Sequence, residues 1–409
     1  MIELTLPAQF TATIKAEEKQ RAFKLFWQWA KDQANYGFYT LPSLEKNIQE
    51  CKVAFEKFRH KKVFLHVGLG GSHLGPELIA QALGDRPSYF LSNLDSDAIS
   101  KTLASLRPAD CLCYIVSKSG HTLETKALLS VLMQWLSEHA IPEEQFSQYF
   151  VFCTGPHQNP TRQLAHQLNC TILDLPSELG GRYSVLSPVG IFPALFQGLS
   201  CSEILKGVKA HQRDFEQESS YVYPLFETLA HFYQKGVDQT VLMPYSSLAK
   251  GLSLWFVQLF SESLGKINHQ QKNSGFTALY AYGSCDQHSQ LQLFMEGPIN
   301  KFILLLKLKN NTNELTINKS YFSDIQKLSL TQILNAQCQG TFQALREKNR
   351  PCAMLEIETL APAQLSYLFH SLQCLTVLMG AWLQVNPFDQ PGVELAKKMA
   401  LNLLDFQRS

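Results

Sequence analysis

Two glycine- and hydroxyl-rich stretches of the sequence are suited to binding an anion. VGLGGSHLGP (67–76) and SKSGHTLET (117–125) each follow an apolar run and precede a helix-like segment. Backbone amides at the start of a helix, together with serine and threonine hydroxyls, bind a phosphate dianion well. Either stretch alone could instead be a tight strand–helix connection or an ordinary helix cap. The groups available to an anion are Gly71, Ser72, Ser117, Ser119 and Thr122.

The first stretch does not fit the glycine patterns of nucleotide-binding loops. In the dinucleotide fingerprint G-x-G-x-x-G, counted from Gly68, the third glycine is replaced by His73. The pattern G-x-x-x-x-G-K-[ST] fails as well, because Gly75 is followed by Pro76. The sequence therefore disfavours a nicotinamide-dependent dehydrogenase.

A carboxylate that could act as a base lies on a predicted helix. In WFVQLFSESLGK (255–266), Gln258 and Glu262 are four residues apart, so they share one helix face. Apolar neighbours could raise the carboxylate's affinity for protons, as a general base requires. The alternative is a solvated glutamate near the end of the helix.

Three further side chains could stabilise charge or move protons. Arg182 follows two glycines, where its guanidinium could face an oxyanion, although a surface ion pair is the alternative. His288 lies in a polar turn and could transfer protons near neutral pH, or could have a structural role. Lys397 falls on the apolar side of a predicted terminal helix, where snorkelling is the alternative to a function.

The elements that must position these groups are short buried strands alternating with helices. The predicted strands are 61–71, 87–93, 111–120, 148–155 and 170–175, followed by 239–246, 301–309 and 354–360. Such alternation indicates parallel sheets covered by helices on both faces. We predict an α/β fold with two α/β/α lobes, each built on a parallel sheet. Both anion-binding stretches would then lie at the carboxyl ends of strands, where such sheets bind ligands.

The order of these elements predicts four parts of the chain. We expect an N-terminal helical segment (1–50), a first lobe (51–200), a second lobe (201–385) and a C-terminal helix (386–409) that completes the active site. The polar stretch HQRDFEQESS (211–220) is expected to connect the two lobes.

Composition limits the classes of function. The 409-residue chain carries a formal net charge of +1, which gives no electrostatic case for nucleic acid or a membrane surface as partner. No run approaches the roughly 18 apolar residues of a membrane span, and the first residues do not resemble a signal peptide. We expect a cytoplasmic protein. Ten scattered cysteines without a CxxC pair are expected to be reduced and buried, with no metal site.

Taken together and in order, these segments resemble the glucose-6-phosphate isomerase family, in its compact bacterial form. The landmarks are GGS-x-LGP, SKS-G-x-T-x-ET, GGRYS, Q-x-x-x-E-S-x-GK, DQHSQLQ and FDQ-x-GVELAKK. They spread over residues 67 to 398, about four fifths of the chain. The resemblance implies two sugar-isomerase-type α/β/α lobes, each a doubly wound, mainly parallel sheet. It also implies reversible conversion of glucose 6-phosphate to fructose 6-phosphate through a cis-enediol, without a cofactor.

The resemblance also implies a role for each candidate residue. Glu262 would carry the proton between C1 and C2, and Arg182 would face the enediolate. His288 and Lys397 would assist opening of the sugar ring, with His288 supplied by the partner subunit of a homodimer. The substrate, and its phosphate above all, would be held by Gly71, Ser72, Ser117, Ser119, Thr122, Gln258 and Gln390. Lys118 lies within the second loop, but no contact is assigned to it.

The sequence departs from the family pattern at three positions. His73 stands where the family usually has aspartate, His121 where it has threonine, and Pro391 where tryptophan is frequent. These departures bear on fine specificity and pH optimum, because two extra histidines lie near the phosphate loops. Alternative functions are an isomerase of another hexose phosphate, such as that of mannose or an amino sugar, and a phosphosugar-binding regulator. A regulator would be expected to lose the base, whereas Glu262 is present.

Overall fold

The fold, taken from a computed structural model, is described for residues 2–6, 14–39 and 41–408. Its strands are β1 Glu3–Thr5, β2 Val63–Val67, β3 Ser88–Leu91, β4 Cys111–Ser117, β5 Phe150–Thr154, β6 Thr171–Asp174, β7 Gln239–Pro244, β8 Lys266–Ile267, β9 Asn273–Ser274, β10 Thr277–Tyr280, β11 Lys301–Leu308 and β12 Cys352–Ile357. Each strand predicted from the sequence contains one of these, except that the predicted strand 354–360 only overlaps β12, which begins two residues earlier.

Helices fill the intervals between the strands. They are α1 Ala16–Lys31, α2 Leu41–Glu56, α3 Leu74–Leu83, α4 Ser96–Ala104, α5 Leu123–Glu138, α6 Pro160–Gln167, α7 Pro188–Phe196, α8 Cys201–Glu216, α9 Val222–Gln234, α10 Lys250–Leu264, α11 Leu291–Glu296, α12 Leu330–Glu347, α13 Pro362–Leu383 and α14 Glu394–Arg408. None of the helices in the described residues is long and apolar enough to cross a membrane.

The first sheet has the strand order β3-β2-β4-β5-β6, and all neighbouring pairs are parallel. The chain starts in the middle, at β2, and adds strands first on one side and then on the other. The loops after β2 and β4 therefore leave the sheet at the point where the strand order reverses. In doubly wound sheets this switch point forms the ligand-binding crevice.

The second sheet repeats this arrangement around β7. Its order is β1-β12-β11-β7-β10, with every pair parallel except β1, which runs antiparallel to β12. The antiparallel β1 near the N-terminus is a feature that the sequence analysis did not predict. The remainder confirms the predicted α/β class with two doubly wound, mainly parallel sheets.

Alternate residues of each strand face different cores, as the two-residue period of a strand requires. In β4, Tyr114 joins one apolar cluster and Ile115 joins another. In β11, Leu304 belongs to the same cluster as Tyr114, whereas Leu305 belongs to a third. One core thus lies between the two sheets, and it contains most of the buried helix α13. This shared core fixes the sheets, and so their ligand-binding edges, relative to each other.

The predicted connector at 211–220 is wrong for its first six residues. They form the last turns of α8, and His211, Gln212 and Phe215 are buried. The polar groups are buried with partners, since His211 Nδ1 lies 2.7 Å from His370 Nδ1 and Gln212 Nε2 donates to Tyr39 O at 2.7 Å. The polar side chains of His211 and Gln212 are therefore buried and hydrogen-bonded, and this part of the stretch is not a solvated linker.

The cysteines are free thiols, and eight of the ten are buried. Burial raises the pKa of Cys111 to about 11 and that of Cys170, which is half-buried, to about 12. Cys285 is exposed, contrary to the expectation that all are buried. These thiols are mainly packing residues of the core.

Candidate active site

Helix α10 presents a glutamate and a glutamine at the edge of the shared core. Trp255 and Leu259 are buried, and the partly buried Gln258 and Glu262 lie beside them on the same side of the helix. Gln258 Nε2 donates to Glu262 Oε2 at 3.1 Å, as their four-residue spacing predicts. The Glu262 side chain is 28% exposed. The carboxylate is therefore accessible to a ligand, while its orientation is held by a neighbour.

Arg182 is buried, so the surface ion pair considered from the sequence is wrong. It lies in the 3-10 turn Gly181–Leu186 and keeps only 2% of its surface exposed. Its Nε donates to Ser263 Oγ at 2.7 Å. Its Nη2 donates to the carbonyl oxygens of Pro387 at 2.5 Å and Asp389 at 2.8 Å. These three bonds fix the plane of the guanidinium.

The remaining guanidinium nitrogen of Arg182, Nη1, faces side chains that are at least partly open to solvent. Nη1 donates to Gln390 Oε1 at 3.0 Å and lies 3.5 Å from Glu262 Oε1. Gln390 is exposed and Glu262 is partly so. A ligand oxygen that replaced either contact would meet a preoriented, buried cation, which is the arrangement that stabilises a developing oxyanion.

The turn after β2 packs directly against this arginine. A Cβ at Gly71 would lie 2.2 Å from the carbonyl carbon of Gly181 and 2.5 Å from Arg182 N. At Gly70, where φ is +55°, a Cβ would lie 2.7 Å from Gln258 Nε2. Only glycine permits this approach. The first anion-binding stretch, Gly71 and Ser72, therefore adjoins Arg182 and Gln258.

The turn after β4 carries the second set of candidate anion-binding groups. Strands β2 and β4 are paired, so both turns lie at the same edge of the sheet. Ser117 Oγ is 3.3 Å from Thr122 Oγ1, and Ser119 Oγ accepts from His121 N at 3.2 Å. Thr122 precedes α5 without its side chain capping the helix. Ordinary helix capping, the alternative considered from the sequence, therefore does not account for Thr122.

Lys118 lies within this turn but is directed elsewhere. Its Nζ donates to Leu179 O at 3.0 Å, and burial lowers its pKa, opposed by Glu178. This placement agrees with assigning Lys118 no ligand contact.

Two of the candidate residues are not brought to Glu262 within one chain. His288 is exposed at the end of the 3-10 turn Cys285–His288, and within the described part of the chain its side chain forms no hydrogen bond or ion pair. Lys397 is exposed on α14, where its Nζ lies 2.8 Å from Glu394 Oε1. Both residues therefore face outward from the single chain.

Residues that the sequence analysis left without a role hold the site together. Ser263 accepts from Arg182 Nε, and Tyr183 Oη lies 3.1 Å from the same hydroxyl. Lys266, whose side chain is 8% exposed, bonds to the segment that carries Gln390. Burial lowers the pKa of Lys266, and Asp389 opposes that effect. Ser263 and Lys266 both lie within the sequence motif around Glu262. Their place in that motif is the sequence feature that could have pointed to a role for them.

The histidine that departs from the family pattern is uncharged near neutral pH. Burial lowers the pKa of His73 to about 4, and its Nε2 lies 3.2 Å from Glu77 Oε2. His66 Nε2 donates to Ser72 O at 2.7 Å, and burial lowers the pKa of His66 to about 3. The His73 side chain therefore adds no positive charge to the first anion loop near pH 7.

One group in the described residues, His211, His370 and Cys374, has three potential metal ligands close together. All three side chains are buried, and they lie on helices α8 and α13. The 2.7 Å separation of the two histidine Nδ1 atoms is a hydrogen-bond distance. Two nitrogens bound tetrahedrally to one zinc at about 2.0–2.1 Å would lie farther apart. The geometry fits a histidine pair rather than a metal centre.

Comparison with known proteins places this chain in a family. The model of the family described as phosphoglucose isomerase matches residues 41–408. A glucose-6-phosphate isomerase from Thermus thermophilus is 33% identical over 367 residues, 88% of each chain. The crystal structure of a hypothetical protein from Thermus thermophilus has a TM-score of 0.89 at 31% identity, over 99% of this chain and 100% of that one. A glucose-6-phosphate isomerase structure from Chlamydia trachomatis shares the fold, with a TM-score of 0.77 at 20% identity over 99% of this chain and 81% of that one. On the extent of the family match and the identity to its relatives, this chain belongs to the phosphoglucose isomerase family.

Proposed function

We propose that Glu262 is the base with which this family member interconverts glucose 6-phosphate and fructose 6-phosphate. The observation that carries the proposal is the position of its carboxylate. One oxygen accepts from Gln258 and the other lies 3.5 Å from the buried Arg182 guanidinium. A carboxylate, an electrophile and two anion-binding turns within one crevice are what aldose–ketose isomerisation requires.

The proton transfer follows from this geometry. In the open-chain aldose phosphate, Glu262 accepts the proton from C2 while the C1 carbonyl oxygen becomes the enediolate oxygen. Arg182 Nη1 stabilises that negative charge. The protonated Glu262 then returns the proton to C1, the O2 hydroxyl proton moves to O1, and C2 becomes the ketone carbon. One carboxylate serves both carbons because the cis-enediol presents them on the same side.

The phosphate would be held by the two turns at the switch point of the first sheet. Backbone amides and hydroxyls of these turns suit a dianion. We assign this role to Gly71, Ser72, Ser117, Ser119 and Thr122. Gln258 and Gln390 would bind sugar oxygens, since each already presents an amide beside Glu262 or Arg182.

We propose that the working form is a homodimer in which His288 comes from the partner subunit. The outward position of His288 and Lys397 in the single chain supports this, because ring opening needs both near the sugar. Helix α14 also exposes apolar side chains, among them Leu395, Met399 and Leu403. Exposed apolar groups of this kind are typical of a contact surface. The cytoplasmic location stays a prediction.

A substrate panel tests the assignment against its alternatives. Purified chain is given fructose 6-phosphate, mannose 6-phosphate and glucosamine 6-phosphate, and the products are followed by nuclear magnetic resonance. Conversion of fructose 6-phosphate in preference to the others is the expected result. Binding of the sugar phosphate by calorimetry without any conversion would instead identify a phosphosugar-binding regulator.

A further inference from the structure

The segment between α13 and α14 is held by a second buried cation besides Arg182. Lys266 follows Glu262 by four residues, at the start of β8. Its Nζ donates to Asp389 O and to Asp389 Oδ1, each at 2.5 Å, and also to Asn386 O. With 8% of its side chain exposed, this lysine is committed to the segment rather than to solvent.

The two cations share one acceptor. Asp389 O receives hydrogen bonds from Lys266 Nζ at 2.5 Å and from Arg182 Nη2 at 2.8 Å. Of the two carbonyl groups that orient Arg182, that of Asp389 is thus itself bonded to Lys266, and that of Pro387 lies between the two residues that Lys266 bonds. The adjacent residue, Gln390, contacts Arg182 Nη1 at 3.0 Å. A displacement of the segment would move the guanidinium and Gln390 together, relative to Glu262.

The charged side chains around this segment balance one another. Arg182 and Lys266 are cations within one partly buried cluster, and Glu262 and Asp389 are its anions. Asp389 pairs with Lys266, so Arg182 Nη1 remains directed toward Glu262 and the substrate position. Without Lys266, Asp389 would lack its counter-charge next to Arg182 and would compete for the guanidinium.

We infer that Lys266 is a positioning residue, which holds the 386–390 segment so that Arg182 and Gln390 are correctly placed against Glu262. Its catalytic consequence rests on the proposed function, whereas the attachment of the segment does not. Because misplacement by about 1 Å can cost on the order of 100-fold in rate, we expect the effect mainly in kcat.

The test compares Lys266→Met with Lys266→Arg and with a matched control. Lys307→Met removes another half-buried ion pair, in which Lys307 Nζ lies 2.8 Å from Glu356 Oε1 on neighbouring strands of the second sheet. For each variant, kcat and KM for fructose 6-phosphate are measured beside amide hydrogen exchange of residues 386–390. Asp389→Asn is included, so that a result is obtained even if Lys266→Met fails to fold.

The inference predicts faster exchange in the segment and a kcat lowered about 10- to 100-fold in Lys266→Met, with KM changed much less. Lys266→Arg should recover part of kcat, Asp389→Asn should give a smaller loss, and Lys307→Met should retain kcat. Unchanged exchange in Lys266→Met, or faster exchange with unchanged kcat, would overturn the inference. A wild-type chain that is inactive but shows faster exchange on substitution would overturn the proposed function while supporting the attachment.

Discussion

Arg182 Nη1 lies 3.5 Å from Glu262 Oε1, although Arg182 lies in the 3-10 turn Gly181–Leu186, Glu262 lies on helix α10, and the two are 80 positions apart in the sequence. The arginine is buried, whereas the carboxylate is partly open to solvent. A fixed positive charge thus faces a base that can reach a ligand. The catalytic role proposed for this site depends mainly on that pair.

Replacement of Arg182 by lysine tests whether a positive charge is enough or whether the guanidinium geometry is also needed. Arg182→Lys keeps a positive charge but cannot reproduce the bonds to Ser263 Oγ and to the carbonyls of Pro387 and Asp389. We expect kcat to fall by about 10²–10³-fold, the range found when one oxyanion donor is removed. Steady-state kinetics and thermal unfolding would be measured together. Near-normal kcat in a folded variant would argue against a role for the guanidinium.

Close packing at the first anion loop predicts a strong effect of a single methyl group. In Gly71→Ala, the new Cβ would lie 2.2 Å from the Gly181 backbone. The backbone must shift to remove that clash. This shift should lower the free energy of unfolding by about 1–3 kcal/mol and should raise KM. Urea unfolding gives the first quantity and initial rates give the second.

Gly340→Ala is the matched control for that substitution. Gly340 lies within α12, and an added Cβ there meets nothing within 4 Å. Alanine is the better helix former, so this variant should be as stable as the wild type or slightly more so, with normal KM. Equal behaviour of the two variants would contradict the packing argument.

Buried histidines should make the protein sensitive to acid. Burial lowers the pKa of both His66 and His370 to about 3, whereas an unfolded histidine titrates near 6.5. Above pH 6.5 the histidines are neutral in both states, so their contribution to stability is fully present. Below it the unfolded chain takes up protons that the folded chain cannot. Stability should therefore fall by about 1 kcal/mol per histidine between pH 6 and pH 5.

Urea unfolding at pH 7.5, 6 and 5 would measure this slope. His370→Gln should show a shallower dependence, because it removes one of the buried histidines whose pKa is lowered, a group that also includes His73 and His211. Glu77, whose pKa is raised by burial, acts in the opposite direction around its own pKa. A free energy of unfolding that stays constant from pH 7.5 to pH 5 would contradict the assignment of neutral buried histidines.

A shared active site predicts complementation between two defective variants. If His288 serves the partner's Glu262, then Glu262→Gln and His288→Ala chains should form mixed dimers with one intact site each. Random mixing would restore about a quarter of the wild-type activity, because half of the dimers are mixed and each has one of two sites intact. Activity after co-refolding, with each variant alone as control, provides the measurement. An absence of recovery in verified mixed dimers would place His288 in its own chain's site.

Much of the fold could be predicted from the sequence because its signals are local. Apolar runs ending in glycine locate β2 and β4, and the parallel arrangement then brings the turns with Ser72 and Ser117 to one edge. The four-residue spacing of Gln258 and Glu262 predicts their contact. The roles of these residues in catalysis stay predictions until they are measured.

Long-range partners could not be predicted in this way. The carbonyls that hold Arg182 lie more than 200 residues later in the chain, and no periodicity connects them. Main-chain acceptors carry no residue-type signal, so neither the burial of Arg182 nor the contacts of Lys266 could be inferred. The polar stretch at 211–216 was misassigned for a related reason, since its buried partner His370 comes from α13.

Proton transfer by Glu262 is tested most directly by isomerisation of fructose 6-phosphate in deuterated water, with wild-type and Glu262→Gln chains compared by nuclear magnetic resonance. The wild-type chain is predicted to form glucose 6-phosphate with some deuterium at C2, because the proton on the carboxyl group can exchange with solvent before it is returned. The folded variant is predicted to lose both turnover and deuterium incorporation by at least about 10²–10⁴-fold. Equal turnover and equal incorporation by the two proteins would contradict the assignment of Glu262 as the base.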